Sequence, residues 1–139
     1  MTSPHDEPRP LAVITGASSG IGRELARLAA RDGYDLMVVA RRADRLDALA
    51  SELTAFGATT EPVVVDLAES SGAQAVEKAI AGRPVEVLVN DAGVGGRGLF
   101  ATERQLPTDL AMIQLNITTL VELTGLLHRA CCNAAGAGS

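Results

Sequence analysis

The sequence predicts an α/β fold, the first half of a doubly wound parallel sheet with strand order 3-2-1-4. Three observations predict it. Short apolar runs alternate with amphipathic segments as β-α-β-α-β-α-β-α along the 139 residues. The runs are continuously apolar rather than alternating, as in strands covered on both faces. A glycine-rich turn joins the first run directly to the first amphipathic segment.

The elements follow in order. Residues 1–10 hold three prolines and no periodicity, and are expected to form a disordered tail. Residues 11–15 (LAVIT) read as the first strand, and residues 20–32 as a helix with Ile21, Leu25, Leu28 and Ala29 on its apolar side. Residues 35–40 (DLMVVA) form the second strand, and residues 43–56 a helix with Leu46, Leu49 and Leu53 on one stripe. Residues 62–67 (PVVVDL) and 85–90 (VEVLVN) give strands three and four, with a helix over 71–81 between them. A glycine-rich loop runs from Asp91 to Gly98, and a long apolar helix from about Pro107 to Arg129, with the proline in its first turn. From Cys131 to Ser139 the residues are small and polar, and an irregular tail is expected. The ordered domain thus covers residues 11–130. Right-handed crossovers leave 3-2-1-4 as the expected order, the first half of a Rossmann-type sheet.

Composition narrows the function. The formal net charge of -5 argues against nucleic acid or an anionic membrane as a general partner. The two cysteines, Cys131 and Cys132, are adjacent, which suggests no disulfide framework and a reducing compartment. The first residues lack the apolar core of a secretory signal, and no stretch approaches the roughly 18 apolar residues of a membrane span. A soluble, cytoplasmic chain is expected.

The turn between strand one and its helix reads TGASSGIG, Thr15 to Gly22. Gly16 permits a tight turn, Gly20 lets a pyrophosphate approach the backbone, and Gly22 lets the helix pack close to the sheet. The helix start at Ile21 offers free N–H groups and a partial positive charge, and Ser18 and Ser19 add hydroxyl donors. Strand two ends in Arg41-Arg42, about 20 residues past the turn, where a nucleotide ribose should lie. An acid there would bind the 2′-hydroxyl of NAD. A guanidinium instead forks onto a 2′-phosphate, so NADP(H) is expected, with NAD less favoured. Arg23 stands where it could assist. The alternative is that Arg41 and Arg42 open a solvated helix face, paired with Asp44 and Asp47.

TGASSGIG resembles the TGxxxGxG cofactor motif of the short-chain dehydrogenases/reductases, and the resemblance extends from about Leu11 to Leu127. It implies that Asp66, followed by Leu67, lies at the adenine. It implies that NDAG (Asn90, Asp91, Ala92, Gly93) stands for the family's NNAG at the adenine-ribose side. Asp91 departs from that pattern, losing amide donors and adding charge near an anionic cofactor. It also implies that Asn116 belongs to the catalytic tetrad, holding a water in a proton relay. The activity implied is hydride exchange between NADP(H) and a small alcohol or carbonyl substrate.

The rest of that chemistry is absent from these 139 residues. The lone tyrosine, Tyr34, has Val38 four residues on, and the lone lysine is Lys78, so no YxxxK exists. No strand carries a catalytic Ser. The chain reads as a reductase truncated before those residues, inactive as it stands. The pattern breaks at His128, and a shifted reading frame from there would account for the break. Two other readings stand beside it: a non-catalytic NADP(H)-binding or oligomerisation module, and a non-functional product. The long helix is apolar nearly all round, which suggests a homodimer through residues 107–129.

Overall fold

The computed structural model describes residues 8–94, 99 and 101–136. Four parallel strands form one sheet: β1 (Leu11–Thr15), β2 (Asp35–Ala40), β3 (Thr60–Val64) and β4 (Val85–Asn90), in the order β3-β2-β1-β4. The expected 3-2-1-4 order is the one observed. At the sheet centre, Val13 of β1 is level with Met37 of β2 and Leu88 of β4. Helices α1 (Gly20–Arg31), α2 (Ala43–Leu53) and α3 (Gly72–Ile80) link successive strands.

Strand periodicity divides the core into two layers. Ile14, Leu36 and Val38 point to one face, where Ala26 and Ala30 of α1 and Leu46, Leu49 and Leu53 of α2 cover them. Val13, Met37 and Val39 point to the other, under Val76 and Ile80 of α3 and Leu123 and Leu127 of the last helix. The result is a helix–sheet–helix sandwich with β1 and β2 enclosed.

Several boundaries differ from expectation, each for a physical reason. Residues 8–10 are not a tail. The Arg9 guanidinium donates to the carbonyls of Ala30 (2.9 Å), Tyr34 (3.0 Å) and Phe56 (3.3 Å), and Asp35 N donates to Pro10 O at 2.9 Å. Residues 1–7 lie outside the described residues. On α1 the buried face is Gly22, Ala26 and Ala30, while Ile21 and Leu28 are exposed. Small side chains let this helix approach the sheet, which the larger ones would prevent. α2 stops at Leu53, and a 3-10 turn (Thr54–Phe56) ends on Gly57 at φ 76°. β3 begins at Thr60 and not at Pro62. It is an edge strand, where a proline is tolerated because one side of its backbone has no partner.

The long helix is three pieces: α4 (Leu106–Ile113), a π-helical segment (Gln114–Thr118) and α5 (Thr119–Gly136). α5 continues through Cys131 to Gly136, so the irregular tail expected from residue 131 is helical there, and 137–139 lie outside the described residues. Small residues such as Ala134 and Ala135 carry no local stop signal. The span Leu106–Arg129 has a mean hydropathy of 1.5 and is long and apolar enough to cross a membrane by length and composition, contrary to the reading that no such stretch exists. Its Thr119, Leu123 and Leu127 are buried, the two leucines within the core layer that α3 shares.

Candidate functional site

The carboxyl ends of all four strands open on one edge of the sheet, into a cleft of about 400 Å³. This is where open α/β sheets bind ligands, beside the reversal of strand order at β1.

The glycine turn forms its floor. Gly16 has φ 69°, and a Cβ there would lie 2.7 Å from Ala92 N and from Asp91 C, so the end of β4 allows no side chain. Gly20 has φ 58° and open space around its Cβ position, leaving the start of α1 approachable. Gly22 sits beneath the turn, outside the cleft. A Cβ there would stand 2.3 Å from Gly16 O, so its close packing is against the turn's own carbonyl. Ser19 caps α1 without a side-chain hydrogen bond, and no acid occupies the helix's first turn. Ser18, Ser19 and Ile21 line the cleft with the glycines.

At the other end Arg41 and Arg42 line the cleft as expected, joined by Arg45 from the first turn of α2. Among the described residues none of the three makes a side-chain hydrogen bond or ion pair, so Asp44 and Asp47 do not neutralise them. Arg45 was missed by sequence reasoning, although its spacing of four from Arg41 was a signal. Arg23 does not line the cleft and lies near Glu52 on the outer surface. There Arg27 bridges Glu24 and Glu52, and its hydrogen bond to Glu52 (2.6 Å) holds that carboxyl below the usual range.

Asp66 and Leu67 form the wall beyond β3. Asp66 Oδ1 accepts from Ala68 N at 2.9 Å, which closes the turn, while Leu67 O accepts from the buried Thr119 hydroxyl at 2.6 Å. Ala92 and Gly93 complete the wall after β4. Asn90 does not. Its amide turns away from the cleft and donates to Thr124 Oγ1 on α5 at 3.0 Å.

Asn116 is held against the loop that follows β4. Its Oδ1 accepts from Val94 N (2.9 Å) and its Nδ2 donates to Val94 O (2.7 Å), so the side chain fastens the loop after β4. It does not line the cleft and lies within the π-helical segment. Such segments turn up often at functional sites. The loop from Gly95 to Gly98 lies outside the described residues.

Thr15 was not singled out as a site residue. Its hydroxyl accepts from Asp91 N and Ala92 N, both at 3.1 Å, and donates to Val89 O at 3.3 Å. It thereby locks the end of β4 to the glycine turn. Its partners lie more than 70 residues away, and the only local signal is its place at the head of the TGxxxGxG motif.

An open glycine turn at one end and unpaired guanidinium groups at the other fit a dinucleotide with a pyrophosphate and a further phosphate. Comparison with known proteins gives the family. The sequence pattern of the family described as short chain dehydrogenase matches residues 10–138. The chain belongs to the short-chain dehydrogenase family. Very-long-chain 3-oxoacyl-CoA reductase-A of Danio rerio is 32% identical over 120 residues, covering 84% of this chain and 38% of that protein. Serine 3-dehydrogenase of Agrobacterium fabrum is 35% identical, over 81% of this chain and 45% of its own length. Among solved structures, a short-chain dehydrogenase from Sphingobium yanoikuyae in complex with NADPH is 38% identical with a TM-score of 0.80, covering 85% of this chain and 47% of that one. L-sorbose reductase from Gluconobacter frateurii, complexed with NADPH and L-sorbose, is 32% identical with a TM-score of 0.82, covering 88% and 48%. The chain therefore spans less than half the length of these four family members. Neither Tyr34 nor Lys78 lines the cleft.

Proposed function

We propose that these 139 residues form the NADP(H)-binding half of a short-chain dehydrogenase/reductase that interconverts a small alcohol and its carbonyl. The observation that carries the cofactor preference is the trio Arg41, Arg42 and Arg45, unpaired at the end of the cleft where β2 stops. The two relatives solved with NADPH support it. The glycine turn and the start of α1 hold the pyrophosphate, and the guanidinium groups hold the 2′-phosphate. Asp66 and Leu67 border the adenine side. The dinucleotide, when bound, supplies or accepts the hydride. Hydride exchange also requires a proton donor held at the substrate oxygen, and no Ser with YxxxK exists in these residues. This stretch alone therefore binds NADP(H) without turnover.

Equilibrium titration with NADPH and NADH tests this reading. NADPH is expected to bind at least about tenfold tighter, as one charge-assisted fork warrants. The variant R41A/R42A/R45A should erase that preference and leave NADH binding nearly unchanged. Equal or tighter binding of NADH by the native chain would refute the cofactor assignment. Sustained NADPH oxidation with a carbonyl substrate would refute the absence of turnover.

We also propose that a second copy of the chain covers the helix running from α4 into α5. Its exposed stripe of Leu106, Leu110, Ile113, Ile117 and Val121 favours this reading. Sedimentation should show a dimer that Ile113→Lys dissociates. A native monomer would sink the idea.

A further inference from the structure

Asp91, the first residue after β4, ends against the glycine turn. Its Oδ2 lies 2.8 Å from the point where a Cβ on Gly22 would stand, and its backbone N is held by Thr15 Oγ1. The residue lines the same cleft as Gly16, Gly20 and Ile21. Among the described residues its carboxylate has no hydrogen bond or ion pair. The start of α1 beside it has neither an acid in its first turn nor a side-chain cap. A free negative charge thus stands at the positive end of α1, the place where such a helix receives an anion.

We infer that Asp91 holds down the affinity of this cleft for every dinucleotide, which leaves Arg41, Arg42 and Arg45 to decide which one binds. The inference rests on the NADP(H) reading above. A pyrophosphate and the Asp91 carboxylate compete for one positive pole. NADPH and NADH both carry the pyrophosphate, so the penalty falls on both alike. The 2′-phosphate at the arginine end offsets it for NADPH only. Asp91 therefore lowers the affinity for both without changing the ratio between the two.

The test uses Asp91→Asn, Asp91→Ala and Asp91→Glu, titrated with NADPH and NADH at low and high salt. Removing a charge near a helix end should tighten binding of both dinucleotides by on the order of fivefold, with their ratio unchanged. Asp91→Ala removes the charge without adding an amide and must tighten binding too, whereas Asp91→Glu, which keeps the charge, must not. The gain should shrink as salt screens the charge. In ligand-free melts Asp91→Asn should lower the midpoint, because the helix loses a favourable charge, while the NADPH-induced rise grows. A merely structural role would move both in the same direction. If the native chain binds NADPH and neither Asn nor Ala binds it tighter, the inference fails and the site assignment stands. If neither native chain nor variants bind either dinucleotide, both fail.

Discussion

Replacing Thr15 with valine keeps the shape of the side chain and removes one oxygen. That oxygen is almost fully buried, with the residue 1% exposed, and it serves two backbone donors, Asp91 N and Ala92 N. Both donors belong to half-buried residues and take that oxygen as their hydrogen-bond acceptor. Leaving a buried donor unsatisfied costs about 1–3 kcal/mol, so two cost roughly 3 kcal/mol in this half-buried setting. The added methyl returns about 0.8 kcal/mol of apolar burial. The expected net loss is about 2–3 kcal/mol. For a chain of this size each kcal/mol shifts the midpoint by about 3 °C, so the melt should fall by about 6–9 °C. Thr15→Ser, which keeps the hydroxyl, should fall by much less. A drop below about 2 °C for valine, or equal drops for both variants, would show that the hydroxyl does not hold the two strands' ends together.

Gly22→Ala places a carbon 2.3 Å from Gly16 O, and should cost about 3 kcal/mol in urea denaturation and abolish NADPH stabilisation. Asn116→Ala removes both bonds to Val94, worth about 2 kcal/mol together, so the Val94 amide should exchange roughly 30-fold faster with deuterium. Glu52 has its folded-state pKa lowered by the Arg27 hydrogen bond from an ordinary value of 4.5. Its stabilising contribution is present above that value and is lost as pH falls through the lower, folded value. Glu52→Gln should therefore flatten the acid limb of the stability profile and leave the slope above pH 6 unchanged; an unaltered acid limb would count against the ion pair.

The strand order and the glycine turn were legible because they rest on local signals. LAVIT running into TGASSGIG states a buried strand, a tight turn and a helix in consecutive residues. Arg41 and Arg42 were legible because their distance from the turn is set by one helix and one strand. What escaped depends on partners far along the chain. Thr15 acts on Asp91 and Ala92, and Arg9 acts on carbonyls at Ala30, Tyr34 and Phe56. Asn90 reads as a site residue by motif, yet its amide finds Thr124 on a helix that packs behind the sheet. The π-helical segment escaped for another reason. One extra residue in a turn leaves the apolar periodicity of LAMIQLNITTL almost unchanged. β3 was misplaced because PVVVDL is more apolar than TEPVV, but an edge strand answers to register with β2 more than to hydrophobicity.

The position of β4 governs when the cleft can exist during synthesis. β1 and β2 are adjacent in the chain and pair within the first 40 residues, but β4 is made about 70 residues after β1, the strand it pairs with. Thr15 emerges early with three hydrogen bonds to make, none of whose partners has yet been made. Until Asp91 and Ala92 leave the ribosome, the glycine turn has no wall and its threonine has no partners. β4 thus completes the pairing of β1 and the wall of the glycine turn in a single event. A dinucleotide present during translation would act on that closing step, drawing the chain forward, rather than on the earlier pairing of β1, β2 and β3.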